Sequence, residues 1–136
     1  MRRRKSERGA AAVEFALVFP LVIMLLLTVI EFSRLWNIQA TISDSARIAA
    51  RSAAVYSNDP DLDDSEVIAK AKADATGIPS FVDWSSATVN ITISCDTTGA
   101  ATSEVIVVPG SFSSWFTEAL GDPITLKATG EMPCGG

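Results

Sequence analysis

The sequence predicts an α+β protein, with one long N-terminal helix, transmembrane and then amphipathic, packed on a small antiparallel sheet of about three strands. Three observations carry that expectation. An uncharged apolar stretch runs without interruption from Phe15 to Ile30. Apolar residues then recur at helical spacing as far as Ala53, and after Pro79 the pattern changes to strict alternation.

The helix comes first. Residues 1–9 carry Arg2, Arg3, Arg4, Lys5 and Arg8 against Glu7, whereas from residue 10 onward six basic residues face fifteen acidic ones. The formal net charge of −5 therefore conceals a basic tip on an acidic body. As a helix, Ala10 to Ile30 would rise roughly 31 Å, the thickness of a bilayer's hydrocarbon core. A basic tip ahead of such a run holds a short N-terminus in the cytoplasm and sends the rest of the chain across the membrane. A cleaved secretory signal would end a shorter apolar core at a small-x-small site, and the sequence here passes instead into "EFSRLWNIQATISDSARIAARSAAVYS". The arginines also lack the consensus of a twin-arginine signal.

Beyond the apolar run, Leu35, Ile38, Ile42, Ala46, Ala49 and Ala53 form one stripe, with Ser43, Asp44, Arg47 and Arg51 between them. The helix is expected over 10–56, kinked at Pro20, which cannot donate to the ladder. "SNDPDLDDS" reads as an acidic linker. Ser65, or an aspartate before it, caps a short helix "SEVIAKAKADAT" that stops at Gly77-Ile78-Pro79, so linker and helix occupy 57–79.

The remaining residues, 80–136, read as a small extracytoplasmic β-rich head. In "ATVNITISC", Val89, Ile91 and Ile93 alternate with Thr88, Asn90, Thr92 and Ser94. "SEVIVVP" (103–109) and "PITLKATGEM" (123–132) are the other strand candidates, and Thr97-Thr98-Gly99 is the turn of a hairpin. "GSFSSWFTEALGD" reads as a loop with a helical turn whose Phe112, Trp115 and Phe116 cover the core. Cys95 and Cys134 bracket this region on the side of the membrane where disulfides persist, and a bond between them would close a loop of about 38 residues, constraining the unfolded chain by about 4 kcal/mol. Two unpaired thiols are the alternative.

Catalytic chemistry finds few components. The chain has no histidine, so no Ser-His or Cys-His pair, and no Gly-rich phosphate cradle. Two cysteines without histidine lack the ligands of a zinc site, and Asp61, Asp63, Asp64 and Glu66 lack the mid-loop glycine and terminal glutamate of a calcium loop. The expectation is a non-enzyme with no cofactor, no metal and no small-molecule substrate. An acidic body is also a poor surface for nucleic acid.

Glu14 is the anomaly, as the only charge between Ala10 and Ile30. Its setting is "RGAAAVEFALVFPLVIMLLLTVIEFSRLW": a basic leader ending in Gly9, then Ala10, then Glu14-Phe15 and an apolar helix. This stretch resembles the TadE-like minor pseudopilins of the tight-adherence (Flp) branch of type IV pili. The resemblance implies cleavage by a prepilin peptidase between Gly9 and Ala10, with residues 1–9 as leader. It also implies that Glu14, with Phe15, serves subunit assembly by meeting a neighbour's N-terminal amine. The partners implied are the membrane, the peptidase, other pilin or pseudopilin subunits and the pilus assembly platform. A hydrated interface position is the other reading of Glu14, and an uncleaved single-pass anchor with a small extracellular binding domain is the other reading of the chain. Glu31-Phe32 repeats the dipeptide, but Leu26 stands where a processing glycine would be; Glu31 is expected at the membrane exit, where it can pair with Arg34 three residues on, near Trp36 in the aromatic belt.

Overall fold

The computed structural model describes residues 4–78, 80–95, 99–108, 121 and 124–134. Among them the order is α1 (Arg4–Tyr56), α2 (Asp64–Thr76), β1 (Thr88–Ser94), β2 (Ala100–Val107) and β3 (Leu126–Pro133). The fold is α+β, as the periodicities predict. By its internal contacts the chain divides into two units, residues 1–34 and 35–136.

Helix α1 starts at Arg4 rather than residue 10 and continues through Pro20. The leader is lysine- and arginine-rich, and such straight side chains are good helix formers, so nothing stops the helix before Ala10. In the second unit its stripe is buried as expected: Ile38, Ile42, Ala46, Ala49 and Ala53 are all at most 1% exposed. The helix ends where Asn58 Nδ2 and Ser57 Oγ donate to the Ala54 carbonyl.

The acidic linker ends in Asp63, which caps α2. Its carboxylate accepts from Glu66 N–H at 2.8 Å while the Glu66 side chain accepts from Asp63 N–H, a reciprocal capping box. Ser65 Oγ also donates to Asp63, and with that bond first these contacts hold the Asp63 pKa below the usual carboxylate value. Val67, Ala71 and Ala75 form the buried face of α2. Ser52 and Tyr56 of α1 both donate to Asp74 of α2, which raises the Tyr56 pKa, and Ser45 Oγ donates to the Ala75 carbonyl.

The sheet has three antiparallel strands in the order β1-β2-β3. Strand β2 begins at Ala100, earlier than its apolar pattern suggests, because a central strand extends as far as both neighbours pair with it. Ala100 faces Ser94 on one side and Pro133 on the other. Strand β3 runs from Leu126 rather than Pro123 and reaches Pro133. At the β1–β2 turn Gly99 has φ +70°, a left-handed conformation that glycine adopts without strain. Its N–H bonds the Ser94 carbonyl and its own carbonyl accepts from Cys134 N–H. Thr97 and Thr98 lie outside the described residues, as do Phe112, Trp115 and Phe116.

One face of the sheet meets the second half of α1. Val89, Val105, Val107 and Ala128 pack with Ile38, Ile42 and Ala46, and Val82 and Trp84 add to this core. The approach is close at one point: Ser103 Oγ donates to the Ala46 carbonyl, and a Cβ placed on Gly130 would clash with the same carbonyl and lie 2.9 Å from Arg47 N. Small residues on both elements let helix backbone and sheet backbone meet there.

Candidate functional site

The first unit is the candidate site, and its surface is unlike that of a water-soluble helix. The large apolar side chains from Val13 to Ile30 are between 37% and 73% exposed. Patches of that extent mark a membrane or a protein partner. The helix is long and apolar enough to cross a membrane. Its polar side chains fit such surroundings, since Thr28 Oγ1 and Ser33 Oγ donate to the Met24 and Val29 carbonyls one turn back and leave no hydroxyl proton unsatisfied.

Gly9 sits within α1, and a Cβ added there would meet nothing within 4 Å. The fold has no use for glycine at this position, where alanine would favour the helix by about 0.5–1 kcal/mol. Ala10 follows on the exposed surface. Glu14, one turn further on, is exposed and has no side-chain partner among the described residues. Phe15 is 65% exposed and its ring lies 5.3 Å from that of Phe19. The structure thus sets Gly9, Ala10, Glu14 and Phe15 within two turns of one helix, with no contact among the described residues that accounts for either the glycine or the carboxylate.

Glu31 is 4% exposed, and its Oε1 has no hydrogen-bond partner among the described residues. The cause lies in helix phase: Glu31, Leu35, Ile38 and Ile42 succeed one another at spacings of three and four, so Glu31 falls on the buried stripe. That spacing is visible in the sequence, and placing Glu31 at the membrane exit within reach of Arg34 passes over it. Trp36 is 69% exposed.

The head supplies the second predicted pair. Cys95 and Cys134 form a disulfide with Cα atoms 5.5 Å apart and 39 residues of sequence separation, and Ser57 Oγ lies 3.2 Å from Cys95 Sγ. The bond joins the residue after β1 to the residue after β3, next to the end of α1. Ala53, Ala54, Ala71 and Ala101 pack around that end of the sheet with Ile93 and Met132. On the opposite face of the sheet an open groove of about 430 Å³ is lined by the polar side chains of Asn90, Thr92, Thr102, Glu104, Thr129 and Glu131. No group of three or more metal-ligating side chains occurs among the described residues. Asp83 has its pKa lowered, chiefly by the Ser85 hydroxyl, as a turn carboxylate that accepts hydrogen bonds.

Residues 9–51 match the family described as TadE-like protein. No curated protein and no solved structure matches the chain. The matched segment begins at Gly9 and ends within α1, so it holds the exposed apolar helix, Glu14 and most of the stripe that packs on the sheet.

Proposed function

We propose that this chain, TadE-like over residues 9–51, is a minor pseudopilin that a prepilin peptidase cuts between Gly9 and Ala10 and that takes part in assembling a tight-adherence pilus or a related secretion machine. The observation that carries the reading is the pairing of an unneeded glycine with an unpartnered carboxylate at the head of an exposed apolar helix. Glycine at position 9 costs helix stability and serves no internal contact, so its use lies with something outside the chain. A peptidase cleft that must admit backbone at the membrane surface is such a thing.

Hydrolysis of the Gly9–Ala10 bond leaves a carboxylate on Gly9 and an ammonium on Ala10, and it removes the basic tip of residues 1–9. The mature helix then opens with a cation and carries Glu14 one turn in. A carboxylate at that depth is costly unless paired. Parallel copies offset along the helix axis would bring Glu14 of one against the Ala10 ammonium of the next, which sets register between subunits. The segment from Ala10 to Ile30 is the single membrane pass, with the N-terminus inside and the head outside the cytoplasmic membrane, where the Cys95–Cys134 bond is stable. The role is structural, and the partners are other pilin or pseudopilin subunits, the peptidase and the assembly platform.

Substitution of Glu14 tests the pairing. If the carboxylate were hydrated and passive, Glu14→Leu would change stability by no more than about 0.5 kcal/mol. Breaking a desolvated pair costs on the order of 3–5 kcal/mol per contact. Glu14→Leu should therefore be inserted and cut normally yet fail to enter higher-order complexes, scored by co-purification with pilus subunits from membranes. Normal incorporation of that variant would return Glu14 to the hydrated reading.

A further inference from the structure

The head has an uneven charge that its own contacts do not use up. From Leu35 onward it holds five basic and thirteen acidic residues, and five of the thirteen fall within 59–66. Among the basic residues, Lys127 pairs with Glu104 at 3.4 Å and Lys70 lies 5.6 Å over the Tyr56 ring. Arg47 and Arg51 stand apart from these. They lie one turn from each other on the solvent face of α1, opposite the stripe buried on the sheet, with Ile48 36% and Val55 59% exposed beside them. Arg47 has only Asp44 at 3.9 Å, both side chains more than two-thirds exposed, and Arg51 has no side-chain partner among the described residues. Two guanidinium groups one turn apart repel each other along the helix, so this face gains from an anionic partner.

The acidic segment divides in the same way. Asp63 and Glu66 are committed to the capping box and Asp59 Oδ1 accepts from Asp61 N–H, whereas the carboxylates of Asp61 and Asp64 are exposed and have no partner among the described residues. We infer that the α1 face formed by Arg47, Ile48, Arg51 and Val55 docks the acidic segment 59–66 of a second copy of this chain, with Asp61 and Asp64 meeting the arginines. Charge complementarity selects the occupant, because the surplus of carboxylate that the arginines lack is concentrated in this segment. The two patches are different surfaces, so the contact is heterologous and can repeat from copy to copy instead of closing into a symmetric pair. The inference rests on the reading of the chain as an assembly subunit and assigns its head a specific contact.

The test uses the full chain in phosphatidylcholine vesicles, with donor and acceptor fluorophores on the C-termini of separate copies and energy transfer as the readout. Arg47→Glu/Arg51→Glu should weaken self-association roughly tenfold at low salt, and Asp61→Arg/Asp64→Arg should do the same. The variant carrying all four reversals should recover to within about twofold of the original, and the original contact should weaken in roughly 0.5 M salt. An unchanged signal in either double reversal would overturn the inference. So would loss in both without recovery in the combination, or an effect of the arginine reversal alone, which would assign the face to an acidic patch of the second copy outside 59–66. Intact thermal unfolding of each variant establishes that the head is folded. The chains are prepared from cells with an active prepilin peptidase and their N-terminus is read by mass spectrometry: unaffected association in chains that begin at Ala10 sinks the docking contact alone, whereas chains that retain Met1 to Gly9 sink the pseudopilin reading.

Discussion

Apolar side chains are used in opposite ways in the two units. From Val13 to Ile30 each large one keeps at least 37% of its surface, while Ile38, Ile42, Val105 and Val107, on the helix and sheet of the head, keep at most 1%. The head supplies its own environment: a helix stripe against one sheet face, a capped second helix and a disulfide across the strand ends. The first unit does not, and a helix in that condition is completed by lipid or by other chains. Glu14 and Gly9 belong to the incomplete unit, and this is why neither makes sense as a feature of the isolated fold.

Substitutions should therefore act on folding in the head and on assembly in the first unit. The largest folding effect is expected from Cys95→Ser with Cys134→Ser. Opening a 39-residue separation releases about 4 kcal/mol of constraint on the unfolded chain. For a head of this size that corresponds to a fall in Tm of roughly 4–8 °C for each kcal/mol. Calorimetry of the reduced or substituted protein would measure it, and an unchanged Tm would mean that the bond adds nothing to a core already sufficient.

Gly130→Ala comes next. Its methyl group would be driven into the Ala46 carbonyl, and overpacking of this kind costs about 1–3 kcal/mol. Gly9→Ala meets nothing and should leave the Tm of the head unchanged, so the two glycines give the comparison its sharpest form. Equal effects at both positions, read by thermal unfolding, would break the division.

The smallest effect concerns Asp63. Its pKa is held down in the folded state, first by the Ser65 hydroxyl, so its contribution is present above the ordinary carboxylate pKa and is lost as pH falls through the lowered value. Below about pH 4 the first turn of α2 should loosen. Asp63→Asn keeps a capping side chain that does not titrate and should reduce that acid sensitivity, measured by NMR of the α2 amides. An identical acid profile in the variant would place the sensitivity elsewhere.

Much of the fold was legible because it rests on periodicity. The stripe from Leu35 to Ala53 and the alternation of Val89, Ile91 and Ile93 are local patterns that burial on one face requires, and both survive in the structure. The strand ends were less legible, since Ala100 and Ala101 join β2 through pairing on both sides and not through their own propensity. Contacts made by small residues were not legible at all: the Ser103 hydroxyl and the Gly130 backbone both meet the Ala46 carbonyl, and no periodic pattern announces that. At the candidate site, Gly9 and Glu14 stood out because a glycine and a charge are odd in a helix bound for lipid, and Ala10 and Phe15 only through the resemblance of the segment around them, whereas the burial of Glu31 required following the helix phase one turn further back than the apolar residues themselves suggest.

The pseudopilin reading is tested most directly by the mass of the mature chain, extracted from the membranes of cells with an active prepilin peptidase. The account predicts a protein that begins at Ala10, with Gly9→Val retaining residues 1–9 while still inserting in the membrane. A mature protein that keeps Met1 to Gly9 in those cells would contradict it and leave an uncleaved single-pass anchor carrying a small folded head.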